Sequence, residues 1–453
     1  MRSDACGKAL CGLTLLLSAN ASASPIDDKY AEFGGASTFL GAATGPELTA
    51  PDKVGRFRHY KGGSIFWRPD TGAHVVYGLI RNRWAALGWE RSYLGYPMTD
   101  ELATFDGAGR VTKFQGGQLI WRSATNQVSE VKSTDLIVDW PVPAGEPWRI
   151  IQANSWPKAG SHVGPWAYCW DIILAGKPQS ASAGMPFVSV ADGRIVFVEQ
   201  SFDSGGKGGN AVIQHLGSGR YASYLHAKKD SFSRRFKGWS GGRPQDLPWD
   251  RRPIAKSGMP LAEVSDTGAA VGAHHLHFCV TTKPDNARYS PFESVPVAFR
   301  SYSYSTDNGK SWTYAPVGIP KKDQWIRREQ KAGPTAPQVN LGASVLNFGS
   351  VAGQLTSASG KPFPSGSPLS VVVQSGWGEP LASARIPVSG SNAATLQYEV
   401  KGVPAYNNLK VIVTNADWRG TGSERLTGAS AAFTVRPNSS TTVDVKLAPA
   451  PAR

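Results

Sequence analysis

The sequence predicts a mainly β, multidomain protein, and three observations carry that expectation. At 453 residues the chain exceeds one compact domain and suits about three. Fifty glycines, 32 prolines and 15 tryptophans break it into short segments, and long helical periodicities are few. A block near the N-terminus repeats at a fixed offset, as stacked small units do.

Residues 1–23 read as a secretion signal. Arg2 and Lys8 supply positive charge, Ala9 to Leu17 an apolar core, and Ala21-Ser-Ala23 a small-residue cleavage site. The apolar run is too short to cross a bilayer, and Leu10 before Cys11 does not suit lipid attachment. The expectation is a secreted protein, extracellular, wall-associated or periplasmic, whose mature chain carries no transmembrane segment.

Residues 24–132 hold the repeat. Leu40-Gly41, Glu47-Leu48, Gly55-Arg56, Gly62-Gly63 and Trp67-Arg68 recur 54 positions later at Leu94-Gly95, Glu101-Leu102, Gly109-Arg110, Gly116-Gly117 and Trp121-Arg122. Each copy predicts a β-hairpin, with Gly62-Gly63 or Gly116-Gly117 as a two-residue turn that tolerates positive φ. The copies resemble LGFP repeats, with Leu94-Gly-Tyr-Pro97 the clearest match and Leu40-Gly-Ala-Ala43 a divergent one. That resemblance implies cell-wall attachment by the module, without assigning it to any one side chain.

Residues 133–331 contain the chemistry. In Gly272-Ala-His-His-Leu-His-Phe278, His275 and His277 lie two apart in a strand-like run, so they share one face about 7 Å apart while His274 points away. Tyr221-Ala-Ser-Tyr-Leu-His226 is an aromatic-rich strand ending in histidine, and His162 precedes Asp171 by nine residues. Histidine and carboxylate are zinc donors, and a catalytic zinc takes three protein ligands and leaves a position open. His162, Asp171 and one of His275 and His277 make such a set. The remaining histidine of the pair and His226 would then stand beside the metal, able to move a proton or hold an oxyanion.

Several motifs here resemble the lysostaphin-type zinc endopeptidases, which cut peptide bonds in bacterial cell walls. They are Gly184-Met-Pro-Phe-Val-Ser-Val-Ala-Asp192-Gly193-Arg-Ile-Val, Gly209-Asn210-Ala-Val-Ile-Gln-His215, and Asp266-Thr-Gly268 followed by His275-Leu-His277-Phe. The resemblance covers much of residues 140–285. It implies His162, Asp171 and His277 as the ligands of one zinc ion, His226 and His275 as the catalytic histidines, and no role for His215. Two features depart from the family: the His162 to Asp171 spacing is longer than its commonest His-x-x-x-Asp, and residues 227–260 look inserted. No His-Glu-x-x-His of other metalloproteases occurs.

Four cysteines are present, and Cys6 and Cys11 fall in the expected signal. Cys169 lies two before Asp171 and Cys279 two after His277, so antiparallel pairing of Asp171 with His277 would also set the cysteines opposite each other. A disulfide is expected in an oxidising compartment, the alternatives being buried free thiols or a thiolate on the metal.

The formal charge of +14 calls for an anionic partner. It is dispersed and no nucleic-acid module is recognisable, so peptidoglycan or another anionic wall polymer fits better. After an expected linker at 332–337, residues 338–453 alternate apolar and polar, as in Leu409-Lys-Val-Ile-Val-Thr, and predict a small β-sandwich of unassigned role. Together these readings predict a secreted zinc endopeptidase that hydrolyses peptidoglycan peptide bonds and is targeted by the repeats. The alternatives are an inactive wall-binding or hydrolase-activating protein, and a secreted protease acting on Gly-rich proteins. Because the repeats carry none of the five site residues, the sequence also predicts a modular arrangement.

Overall fold

In the computed structural model the described residues are 23–104, 107–153, 162–205, 209–217, 220–236, 239, 242–247, 252–282, 293–329, 348–365, 368–375, 380–388, 393–404, 409–415, 426–435 and 439–449. The expected secretion signal (apart from Ala23), with Cys6 and Cys11, and the expected linker at 332–337 lie outside them. The protein is mainly β, as its turn-rich composition predicts.

Each repeat forms a four-stranded antiparallel sheet. The first contains Leu48–Thr49, Arg56–His59, Gly63–Arg68 and Gly72–Tyr77; the second contains Leu102–Ala103, Gly109–Phe114, Gly117–Arg122 and Gln127–Lys132. The offset of 54 survives in the register, since Arg56 pairs with Trp67 as Arg110 pairs with Trp121. Between the sheets runs the helix Gly78–Leu87. Its Trp84 is fully buried, with ring centroids 4.5 Å from Phe66 of the first copy and 5.1 Å from Phe114 of the second, so the two copies share a core. The hairpin glycines have a different cause from the one expected. None of Gly62, Gly63, Gly116 and Gly117 has positive φ. A Cβ at Gly62 would instead overlap the Phe39 carbonyl, and one at Gly116 the Tyr93 carbonyl, so close approach of the backbone demands the missing side chain.

The largest sheet has eleven strands. In order across it are Ile254–Ala255, Gly193–Glu199, Ala211–Gly217, Arg220–Leu225, Leu276–Thr281, Cys169–Leu174, Trp148–Ala153, Trp325–Arg328, Ala298–Ser305 and Thr313–Gly318, with Ile137–Asp139 running parallel to Ala298–Ser305. One face is covered by a large apolar core that includes the buried rings of Trp140, Trp148, Trp170, Tyr224, Phe278 and Phe299. Burying such rings removes a large apolar area from water, at about 25 cal/mol per Å². The segment at 227–260 is tied to this body. Its helix Ser231–Arg235 buries Phe232, its Ile254–Ala255 strand extends the sheet edge, and Arg235 Nε reaches the Glu263 carboxylate at 2.7 Å. The C-terminal eight strands wrap a separate core that includes Val351, Leu355, Val371, Val373, Tyr398, Val411 and Val413.

The second repeat packs directly on the central sheet. Tyr168, immediately before the Cys169–Leu174 strand, has its hydroxyl among the backbone of Phe114 and Gly117. Lys113 is fully buried there, with its ammonium donating to the Ser294 carbonyl, 3.9 Å from the Glu293 carboxylate and 5.1 Å from the Tyr168 ring centroid.

Cys169 and Cys279 form a disulfide that closes a sequence separation of 110. Chain-entropy reasoning predicts a loss of about 4 kcal/mol in the Cys169→Ser/Cys279→Ser double variant, read by chemical denaturation. Thiol titration of the denatured, unreduced chain lacking residues 1–23 should find no free cysteine. Lys113 adds a pH signature. Burial pushes its pKa from 10.5 down to about 8, against the pull of Glu293. Between these values the unfolded chain holds the extra proton, so the contribution of Lys113 to stability rises with pH across that window. Relative to Lys113→Met, the wild type should gain up to about 3 kcal/mol between about pH 7.5 and about pH 10.5 in urea denaturation.

Candidate metal centre

Three adjacent strands build the floor of the site. In the pairing of Cys169–Leu174 with Leu276–Thr281, Asp171 stands opposite His277 and Cys169 opposite Cys279. The next strand, Arg220–Leu225, sets Leu225 opposite His277 and Ser223 opposite Cys279. Alternation then divides the residues: Asp171, His277 and the disulfide share one face, while Trp170, Phe278 and Tyr224 enter the core on the other. His162 comes from the segment ahead of the short Gly164–Trp166 turn. His275 immediately precedes Leu276–Thr281, and His226 immediately follows Arg220–Leu225.

These five residues meet. His162 Nε2 lies 3.1 Å from Asp171 Oδ1 and 3.3 Å from His277 Nδ1, and His277 Nδ1 lies 2.8 Å from Asp171 Oδ1. All three residues are buried. A tetrahedral ion bound at about 2.0–2.1 Å separates its donors by about 3.3 Å, so this donor set fits zinc with small adjustments. His226 and His275 stand beside it, with ring centroids 4.6 Å apart and His226 6.0 Å from His277. His275 Nε2 is 3.4 Å from Asp171 Oδ1. His274 lies apart, 3.7 Å from the Asp266 carboxylate. Cys169, Cys279 and His277 also cluster closely enough for a metal, but the disulfide leaves no thiolate to donate. The structure assigns no function to His215, which packs on Tyr221.

Backbone carbonyls set the tautomers of the flanking pair. His226 Nδ1 is 2.6 Å from the Thr267 carbonyl and His275 Nδ1 is 2.6 Å from that of Ala273. A carbonyl only accepts, so each Nδ1 carries the hydrogen; His226 Nε2 keeps a lone pair, whereas His275 Nε2, beside the Asp171 carboxylate, is favoured in the protonated form. His226 adopts φ of 62°, a left-handed conformation costly for a residue with a Cβ, and the surroundings hold it there. Thr267 Oγ1 accepts from the Asn210 amide N–H and donates to the Ala227 carbonyl, while Asn210 Nδ2 donates to that same carbonyl at 3.0 Å. A Cβ at Gly209 would run into the Thr267 and Gly268 backbone. Gly209-Asn210 and Asp266-Thr-Gly268 are thus the brace for His226. Sequence reasoning quoted both motifs and assigned neither this role. It also passed over Trp166, whose ring meets His277 edge-on at 5.4 Å.

The electrostatics favour a charged carboxylate at Asp171 and push His226 and His277 toward the neutral form. Burial raises the Asp171 pKa, but the charge of His162 and hydrogen bonds with His162, His275 and His277 outweigh it and hold the carboxyl well below its usual range. Burial, with the neighbouring charges of His162 and His275, lowers His277. Burial also pushes His226 down to about 3, helped by the charges of His275 and His277. His275 differs: burial lowers it, but Asp171 more than compensates and raises it above its ordinary value.

Residues 40–92 and 94–139 match the LGFP repeat, a cell-wall-associated repeat whose presence suggests a secreted, cell-surface-associated protein. No curated protein sequence matches the chain. Among solved structures, the extracellular domain of a one-component system from B. thetaiotaomicron is 7% identical over 88% of this chain and 51% of its own, with a TM-score of 0.12. The extracellular domain of a hybrid two-component system from the same organism is 8% identical over 88% and 56%, with a TM-score of 0.11. The chain therefore spans about half the length of each. Among the described residues no helix is long and apolar enough to cross a membrane.

Proposed function

We propose that the protein is a zinc-dependent endopeptidase of the lysostaphin type that hydrolyses peptide bonds in cell-wall peptidoglycan. The observation that supports this reading is the convergence of His162 Nε2, Asp171 Oδ1 and His277 Nδ1 beside two further histidines. His162, Asp171 and His277 hold the ion. When bound, zinc supplies Lewis acidity that polarises a peptide carbonyl and acidifies water. Asp171 offsets part of the added positive charge, and the lowered His277 is already a neutral donor at neutral pH.

The other two histidines handle the proton. No carboxylate in the motifs is free to act as base, so an imidazole takes the proton of the attacking water. His275 suits that role: the Ala273 carbonyl holds its Nδ1, so its proton is exchanged at Nε2, and the neighbouring Asp171 carboxylate favours the form that has taken up the proton. Once protonated, it can pass the proton to the departing amine. His226, neutral and held by Thr267, orients the water through its own Nε2. The LGFP repeats and the +14 charge support a wall polymer as the substrate.

The test is incubation of the full chain with purified peptidoglycan, with and without chelator, followed by mass analysis of released fragments. Chelator-sensitive appearance of new amino termini is expected. Binding without any new amino terminus would leave a wall-binding protein. His277→Ala and Asp171→Ala should lose metal and activity together, whereas His275→Ala should lose turnover by a factor of about 10² or more with metal retained. Full metal in His277→Ala and none in His275→Ala would exchange the two roles.

Metal uptake should depend on pH in one direction. His277 Nδ1 binds either a proton or the ion, and its pKa lies below 6.5. Zinc affinity measured by competition titration should be nearly level above pH 6.5 and fall only at lower pH, where His277 takes up a proton. An affinity that rises on acidification would remove the imidazole donors from the site.

A further inference from the structure

The segment carrying His162 is clamped from the side of the second repeat. The Tyr168 hydroxyl accepts from the Phe114 amide N–H at 3.1 Å, lies 2.9 Å from the Phe114 carbonyl, and also reaches the Gly117 carbonyl. Met98 of the same repeat is buried against Ala167 and Tyr168. Tyr168 precedes the disulfide cysteine Cys169 by one residue and the ligand Asp171 by three. On its other side, the Tyr168 amide N–H donates to Ser294 Oγ at 3.0 Å, and Ser294 donates its own N–H to the Pro165 carbonyl at 2.8 Å. Lys113 of the repeat donates to the carbonyl of that same Ser294. Two short paths therefore run from the repeat to the donors: one through Tyr168 to Asp171, the other through Lys113, Ser294 and Pro165 to His162 and to Trp166, which lies against His277.

We infer that the second repeat is a structural part of the metal centre and that Tyr168 is the positioning residue joining them; this rests on the metal-centre reading above. His162 and Trp166 lie in a connection between strands, a class of segment that holds its place only through contacts made to it. Here two of those contacts, Tyr168 and Ser294, are themselves anchored by the repeat. The wall-binding module and the site then move as one body, so a repeat seated on the wall presents the sheet face bearing Asp171 and His277 in a set orientation. This differs from the modular arrangement expected from sequence, in which the repeats could be removed without disturbing the site.

The test is Co2+ uptake by the full-length protein and its Tyr168→Phe and Met98→Ala variants, neither of which alters a donor. Three quantities are read: affinity by chelator competition, the visible absorption spectrum of the bound ion, and the melting temperature of the metal-free protein. Both variants should bind Co2+ about tenfold more weakly, the usual scale for loss of an outer support, with a spectrum changed from that of the wild type. Lower melting temperatures with wild-type affinity and spectrum in both variants would overturn the inference alone, because a merely structural role moves melting and leaves coordination intact. A wild type that takes up no Co2+ would overturn the metal-centre reading and this inference with it. If Tyr168→Phe fails to fold, Met98→Ala carries the same comparison.

Discussion

The site depends on one strand register. Pairing Cys169–Leu174 antiparallel to Leu276–Thr281 sets Asp171 across from His277, and the disulfide two positions away prevents those strands from slipping. A slip of one residue would send every side chain to the opposite face, placing Trp170 and Phe278 over the site and Asp171 in the apolar core. Register and core packing therefore enforce each other. The rings that must be buried select the same pairing that brings the donors together.

Electrostatics completes what the register begins. A buried carboxylate without partners would take up a proton rather than remain charged. Asp171 instead has three imidazoles around it, and their combined effect exceeds the cost of burial. The same crowding makes the imidazoles unlike one another. His226 and His277 are pushed toward the neutral form, whereas His275, 3.4 Å from the carboxylate, is pushed toward the charged one. One cluster thus holds a neutral donor, His277, and a proton carrier, His275, side by side, which a symmetric arrangement of histidines could not provide.

Much of the glycine and polar punctuation of the chain serves this cluster at second hand. Asn210 and Thr267 converge on the Ala227 carbonyl, and Gly209 leaves room for the Thr267 backbone to approach, so the unfavourable φ of His226 is paid for by three neighbours from distant parts of the chain. The repeats show the same economy of backbone. Gly62 and Gly116 occur where the Phe39 and Tyr93 carbonyls press against the hairpin, and Gly41 and Gly95, with φ of 65° and 68°, supply the left-handed turns of the Leu-Gly steps.

The amino-acid sequence by itself determined the features that depend on local periodicity. The mainly β class follows from turn-rich composition, the repeats from an offset of 54, and the facing of Cys169 with Cys279 from the two-residue alternation around Asp171 and His277. His162, Asp171, His226, His275 and His277 were legible as candidates because histidine is scarce here and the family motifs frame them. Tertiary structure alone decided which nitrogen of each histidine faces the cluster, because the Thr267 and Ala273 carbonyls that orient His226 and His275 reveal nothing through residue type. It also decided that Tyr168 is anchored in the second repeat and that glycine is needed in the hairpins for clearance rather than for φ. These are contacts between segments far apart in the chain, and alternation along one strand holds no information about what closes over it.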